Sequence, residues 1–168
     1  MAFRWGSGLL IVICAGLAGV ECRRRLKARA SSLVCIQHYL RQVASYISHY
    51  GMGLDEIAVE LARANPSDPL SQKTRDYIKQ TSFWNAFSIA LNELKTCLCL
   101  TDADLALMTL LINGLKGFDV DGALSSLAFA DQRLAEEADA ANKKAETDGK
   151  LYVTLGFCLG VAAALIIV

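Results

Sequence analysis

Both ends of this chain are apolar and free of charge, and this limits what the middle can be. Residues 5 to 20 read WGSGLLIVICAGLAGV, and residues 151 to 168 read LYVTLGFCLGVAAALIIV. As helices they would reach roughly 24 Å and 27 Å, against a bilayer core of roughly 30 Å. Directly after the first run comes VECRRRLKARA, residues 20 to 30, with Arg23, Arg24, Arg25, Lys27 and Arg29. A secretory signal carries its positive charge before the apolar core and a small-residue cleavage site after it. Here only Arg4 precedes the core, while Cys22 follows Glu21 and Cys14 follows Ile13, so neither cysteine sits in a lipoprotein box. The first run reads as an anchor that stays, its basic flank cytoplasmic by the positive-inside rule. Lys143, Lys144 and Lys150 precede the second run and place its flank on the same side. The expectation is an N-terminal transmembrane anchor over 1–22, a cytoplasmic helical domain over 23–150 and a C-terminal transmembrane helix over 151–168. Both termini then lie outside the cytoplasm. The alternative is a soluble protein with two buried terminal helices.

Charge is distributed unevenly. The whole chain balances 17 basic against 17 acidic residues. From residue 30 onward there are 11 Lys and Arg against 16 Asp and Glu, a net of −5. A nucleic-acid binder carries basic stripes along its body, so nucleic acid is excluded as a partner. The five basic residues after the first run are expected to fix topology and to face anionic lipid headgroups.

Between the ends the apolar spacing is helical throughout. Leu33, Ile36, Leu40, Val43, Ile47 and Tyr50 form a heptad-like seam that stops at Gly51 and Gly53. No Gly or Pro interrupts residues 20 to 50, so the first helix is expected to run on from the anchor. A second helix over about 54–64 stops at Asn65-Pro66. Asp68-Pro69 reads as an N-cap with proline at the first helical position, opening a third helix to about Lys79. Phe83, Trp84, Phe87, Leu91, Leu94 and Leu98 mark a fourth, capped by Thr81 or Ser82. Thr101 with Asp104 resembles a capping box and opens a fifth, ending at Gly117. Asp119 or Asp121 caps the sixth, whose seam of Leu124, Leu127, Leu134, Ala138, Ala141 and Ala145 continues into the second apolar run. The fold class is therefore all-α: a bundle of about six helices, the first and last continuous with the two spans. Small residues at the far end of the sixth seam suit close packing against the first helix.

Nothing here assembles recognisable chemistry. There is no GxxxxGK, GxGxxG or HExxH. His38 and His49 share a helix face but lie roughly 16 Å apart along it, too far for one metal. Cys35, His38, Cys97 and Cys99 lack the close-paired spacing of a zinc site, so the cysteines read as small apolar fillers in a reducing compartment. No enzyme activity, cofactor, metal or small-molecule substrate is expected. Gly156 and Gly160 form GxxxG inside the second apolar run, which allows helices to pack backbone to backbone.

In KLYVTLGFCLG, Lys150, Leu151, Tyr152, Leu155, Gly156 and Gly160 fall on a pattern seen elsewhere. So do the basic stretch after the first run, Leu54 and Glu56 in LxE, Trp84, and Leu115 with Asp119. Over nearly its whole length the chain resembles the stage III sporulation protein AB family. It departs at Gly53, where proline is usual, and at Lys116 and Ile112, where glycine is. The resemblance implies a role in the complex joining mother cell and forespore, in the mother-cell membrane facing the forespore. It implies a non-enzymatic adaptor similar to the cytoplasmic domain of type II secretion and type IV pilus platform proteins. The partners so implied are a secretion-type ATPase and the other channel proteins, beside membrane lipids. Glu56 is the candidate partner contact. The alternatives are a platform-like subunit of another secretion system, or a small membrane enzyme without a recognisable site.

Overall fold

A computed structural model describes the backbone of residues 2–115 and 120–167, and the side chains of 13–115 and 122–163. Among the described residues six helices follow one another: α1 (Ala2–Tyr50), α2 (Leu54–Ala64), α3 (Pro69–Ile78), α4 (Phe83–Leu94), α5 (Asp102–Leu115) and α6 (Val120–Ile167). Their contacts divide the chain into two compact units, one of residues 1–31 with 137–168, the other of residues 32–136.

Local chemistry explains the helix boundaries. Gly51, at φ +59, ends α1 in the left-handed region that glycine enters without a Cβ clash. The Asp68 carboxylate accepts from Leu70 N and Ser71 N, with Pro69 at the first helical position. The Asp104 carboxylate accepts from Thr101 N at 2.8 Å, while the Thr101 hydroxyl accepts from Asp104 N at 3.2 Å. That reciprocal pair opens α5. Ser82 caps α4 through its backbone alone. The fourth helix is shorter than its apolar spacing predicts. It stops at Leu94, and the chain turns through residues 95–99 with Cys99 at φ +53. Leu100 is buried at the end of that turn. The expected end of α5 at Gly117 and the cap at Asp119 lie outside the described residues, as does the side chain of Asp121.

The second unit has a core of large side chains. Leu33, Ile36, Leu40 and Val43 of α1 are buried, with Ile57 and Leu61 of α2, Leu70 of α3 and Phe83, Phe87 and Leu91 of α4. Met108, Ile112 and Leu115 come from α5, and Leu127 and Leu134 from α6. Trp84 stands edge-on to Phe83 and Phe87. The α1 seam fades where the bundle ends, with Ile47 half-buried and Tyr50 exposed. Arg41 clamps the Asp131 carboxylate through Nε and Nη2, and Gln37 Nε2 donates to Asp131 O at 3.1 Å.

The first unit is built the other way round. Every buried residue among those described in it is glycine or alanine: Gly19, Ala30, Ala138, Ala141, Ala145, Gly149 and Gly160. Its large apolar side chains point outward.

The expected pair of flanking transmembrane helices needs correction. Among the described residues no helix is long and apolar enough to cross a membrane. In α1 the apolar stretch with described side chains is 13–20, roughly 12 Å long before the charges begin. In α6 it is 151–163, roughly 20 Å. Both fall short of a hydrocarbon core of roughly 30 Å. The side chains of 5–12 and 164–168, the rest of the two expected spans, lie outside the described residues.

Candidate functional site

In the first unit, α1 and α6 run antiparallel at backbone contact. A Cβ on Gly19 would come within 2.6 Å of Tyr152 O, and one on Gly156 within 2.7 Å of Ala15 O. Both neighbours are main-chain atoms, so a side chain at either glycine requires the helices to move. Gly149 faces the Cγ of Arg23, where a Cβ would sit 2.7 Å away. Gly160 is buried in the same unit. Gly156 and Gly160, singled out from their spacing, therefore face inward together. The spacing did not point to Gly19 and Gly149. Its only available signal was the four-residue rhythm Ala145, Gly149 followed by Gly156, Gly160.

Around this seam the surface is apolar. Ile13, Leu17 and Val20 are exposed on α1, and Leu151, Leu155, Phe157 and Leu159 on α6. The basic block adjoins them. Arg24, Arg25 and Lys27 are exposed, while Arg23 and Arg29 are half-buried. Arg25 pairs with Glu21 one turn away at 3.4 Å, and the aliphatic stem of Arg23 covers Gly149. Lys143, Lys144 and Lys150 are exposed on α6.

Glu56 lies in the second unit, exposed in the first turn of α2 beside Asp55. Position 53 caps that helix through backbone alone, so two acids sit near unpaired N–H groups, a placement the helix dipole favours. Leu54 is half-buried, while Trp84 and Leu115, also matched by resemblance, are core residues.

The cysteines depart from their expected role as apolar fillers: all six are free, Cys99 is half-buried, and the other five are exposed. His38 and His49 are exposed as well. Among the described residues no group of three or more His, Cys, Asp or Glu could hold a metal ion.

Fold and surfaces together define an all-helical protein with two differently packed units, one with a conventional core and one with small residues inside and large apolar residues outside. The sequence model of the stage III sporulation protein AB family matches residues 4–168. The chain belongs to that family, and its role is in sporulation. No curated protein and no solved structure matches it.

Proposed function

We propose that the protein is a non-enzymatic adaptor of the mother cell–forespore channel complex. It sits at the mother-cell membrane facing the forespore and docks a secretion-type ATPase at the cytoplasmic face. The observation that carries this reading is the reversed packing of the first unit. In water, burying only glycine and alanine while exposing leucine, isoleucine and phenylalanine forfeits most of the hydrophobic stabilisation, about 25 cal/mol per Å² of apolar surface. An exposed apolar surface of this kind marks a place where a membrane surface or a partner covers it. Arg24, Arg25 and Lys27 beside that surface suit anionic headgroups. The second unit, with its own core and the exposed acid Glu56, supplies the docking body. The family's place in sporulation favours this complex over an unrelated secretion system.

Fractionation and affinity purification of the tagged full-length chain from sporulating cells test the reading. The chain should sediment with membranes and bring down the secretion-type ATPase with other channel proteins. Recovery in the soluble fraction without the ATPase would overturn it.

A further inference from the structure

The contacts of the first unit fix a register. Gly19 lies against Tyr152, Gly156 against Ala15 and Gly149 against Arg23. Residues that stand level on α1 and α6 therefore have numbers adding to about 171, and the buried Ala30 and Ala141 continue the series. At this register residues 23–29 of α1 stand beside 142–149 of α6. The basic block and the lysines of α6, far apart in sequence, thus encircle one level of the helix pair. Arg24, Lys27, Lys143, Lys144 and Lys150 are exposed and Arg23 is half-buried. Among the described residues these six take part in no ion pair, whereas Arg25 is held by Glu21. Glu146 and Asp148 are the acids of the same level on α6. A groove of about 430 Å³ opens there, lined by Glu146, Thr147, Lys150, Leu151 and Thr154. Lys150 is the last charge before the apolar run, so cation, hydroxyl and apolar groups meet in this groove.

We infer that this collar of cations, made by both helices together, binds the anionic phospholipid headgroups of a membrane surface. It rests on the reading of the protein as membrane-attached, and adds the class of lipid and the residues that select it. Headgroup phosphates accept charge-assisted hydrogen bonds from arginine and lysine. A basic cluster beside an apolar surface is the arrangement that holds a chain to an anionic leaflet. Leu17 and Val20 adjoin the collar on α1, and Leu151 and Leu155 adjoin it on α6, all of them exposed. An acidic protein surface would match the cations alone. Elsewhere the charge has the opposite sign: residues 32–136 hold eight basic residues against twelve acidic. Attraction to an anionic leaflet therefore acts at the collar and is opposed by the rest of the chain. Each cation at such a surface raises affinity about fivefold.

Flotation of the full-length chain with vesicles of phosphatidylcholine alone, or of phosphatidylcholine mixed with phosphatidylglycerol, tests this. The chain should partition about tenfold or more in favour of the anionic vesicles, and added salt should narrow the difference. Arg24→Gln with Lys27→Gln, and separately Lys143→Gln with Lys144→Gln, should each weaken anionic binding about twenty-fivefold. The charge-matched pair Arg63→Gln with Lys79→Gln, in the second unit, should leave it unchanged. Circular dichroism should be the same for all three variants. Equal partition to both kinds of vesicle overturns the inference and leaves membrane attachment standing, while failure to float with either overturns both. If only the α1 pair matters, the helices share no site and the inference fails. It fails too if inorganic phosphate releases the chain more than chloride of equal ionic strength, which would mark a site for free phosphate. Variants that keep flotation but lose capture of a channel protein assign the collar to that protein instead. Absence of the ATPase from wild-type purifications, with anionic binding intact, overturns the adaptor reading alone.

Discussion

Tyr39 shows how one side chain can be well packed and poorly satisfied together. Its ring stacks on Phe87 with centroids 5.2 Å apart and planes 9° from parallel. Its hydroxyl is buried and makes no hydrogen bond of normal geometry among the described residues; the neighbouring Thr74 hydroxyl, which donates to Leu70 O, lies near enough to favour the phenolate without forming such a bond. A buried, unsatisfied hydroxyl costs about 1–3 kcal/mol. Tyr39→Phe keeps the stack and removes the orphan, so chemical denaturation should show a gain of about 1 kcal/mol. An unchanged or lower stability would mean that the hydroxyl is bonded after all. Burial pushes the Tyr39 phenol up, Thr74 opposes the shift, and the Asp68 charge adds to it. The folded value therefore lies above the unfolded one. Stability from this group is complete below about pH 10 and is lost as pH rises through the folded value, a loss that Tyr39→Phe should lack. Glu93 has the opposite sign. Lys73 first and then Tyr77 hold its carboxyl below the ordinary range, so its contribution is present above that range and fades as pH falls through the lowered value. The group is exposed and the effect small, so Glu93→Gln should slightly flatten the acid limb of stability and leave the neutral region unchanged.

At the scale of the element, the antiparallel pair of the first unit depends on which glycines touch backbone. Gly16 and Gly19 are three residues apart on α1, yet a Cβ on Gly16 meets nothing within 4 Å while one on Gly19 strikes the Tyr152 carbonyl. Gly16→Ala should leave the thermal unfolding of the full-length chain unchanged. Gly19→Ala should lower its melting temperature by several degrees, and leucine at both Gly156 and Gly160 should do so more strongly and weaken recovery of channel partners. Equal behaviour of the two alanine variants would show that the helices do not depend on this contact. The same elements show what could be read in advance. Starts and stops of α2 and α3 were legible because Gly53, Asn65-Pro66 and Asp68-Pro69 act locally, through caps and missing donors. The end of α4 was not legible: Leu98 continues the apolar spacing, and only the turn through Cys99 removes it from the helix. Gly156 and Gly160 were visible as a motif, but Gly19 becomes meaningful only once another helix lies against it. Tyr39 and Gln37 fall beside the apolar seam of α1 and are buried anyway, since aromatic and amide groups from neighbouring elements decide how wide the buried face becomes. The two expected spans were the largest departure: among the described residues no helix is long and apolar enough to cross a membrane.

For the whole molecule, a conventional core in one unit and small buried residues in the other give the two units different sources of stability. The described residues of 32–136 bury large side chains from all six helices, so the fragment 26–147 should melt cooperatively without the apolar ends. In the adaptor reading this part meets the ATPase, and Glu56 is the first residue to test. It is exposed, it shares the first turn of α2 with Asp55, and it lies in a part of the chain whose net charge is negative. Attraction between such a surface and a basic patch is screened beyond roughly 10 Å at 0.1 M salt, so ATPase affinity should fall as salt rises. Glu56→Lys reverses the charge where a partner would meet it. It also replaces an acid that the helix N-terminus favours by about 0.3–1 kcal/mol, so binding and folding must be measured on the same preparation. A drop in ATPase affinity of tenfold or more, with helicity unchanged and the melting temperature lowered by no more than that dipole contribution, assigns Glu56 to the contact. Intact binding moves the docking surface elsewhere on the second unit. Loss of fold makes Glu56 a helix-start residue, and the milder Glu56→Gln then separates the two roles, because it removes the charge while leaving the side chain's size almost unchanged.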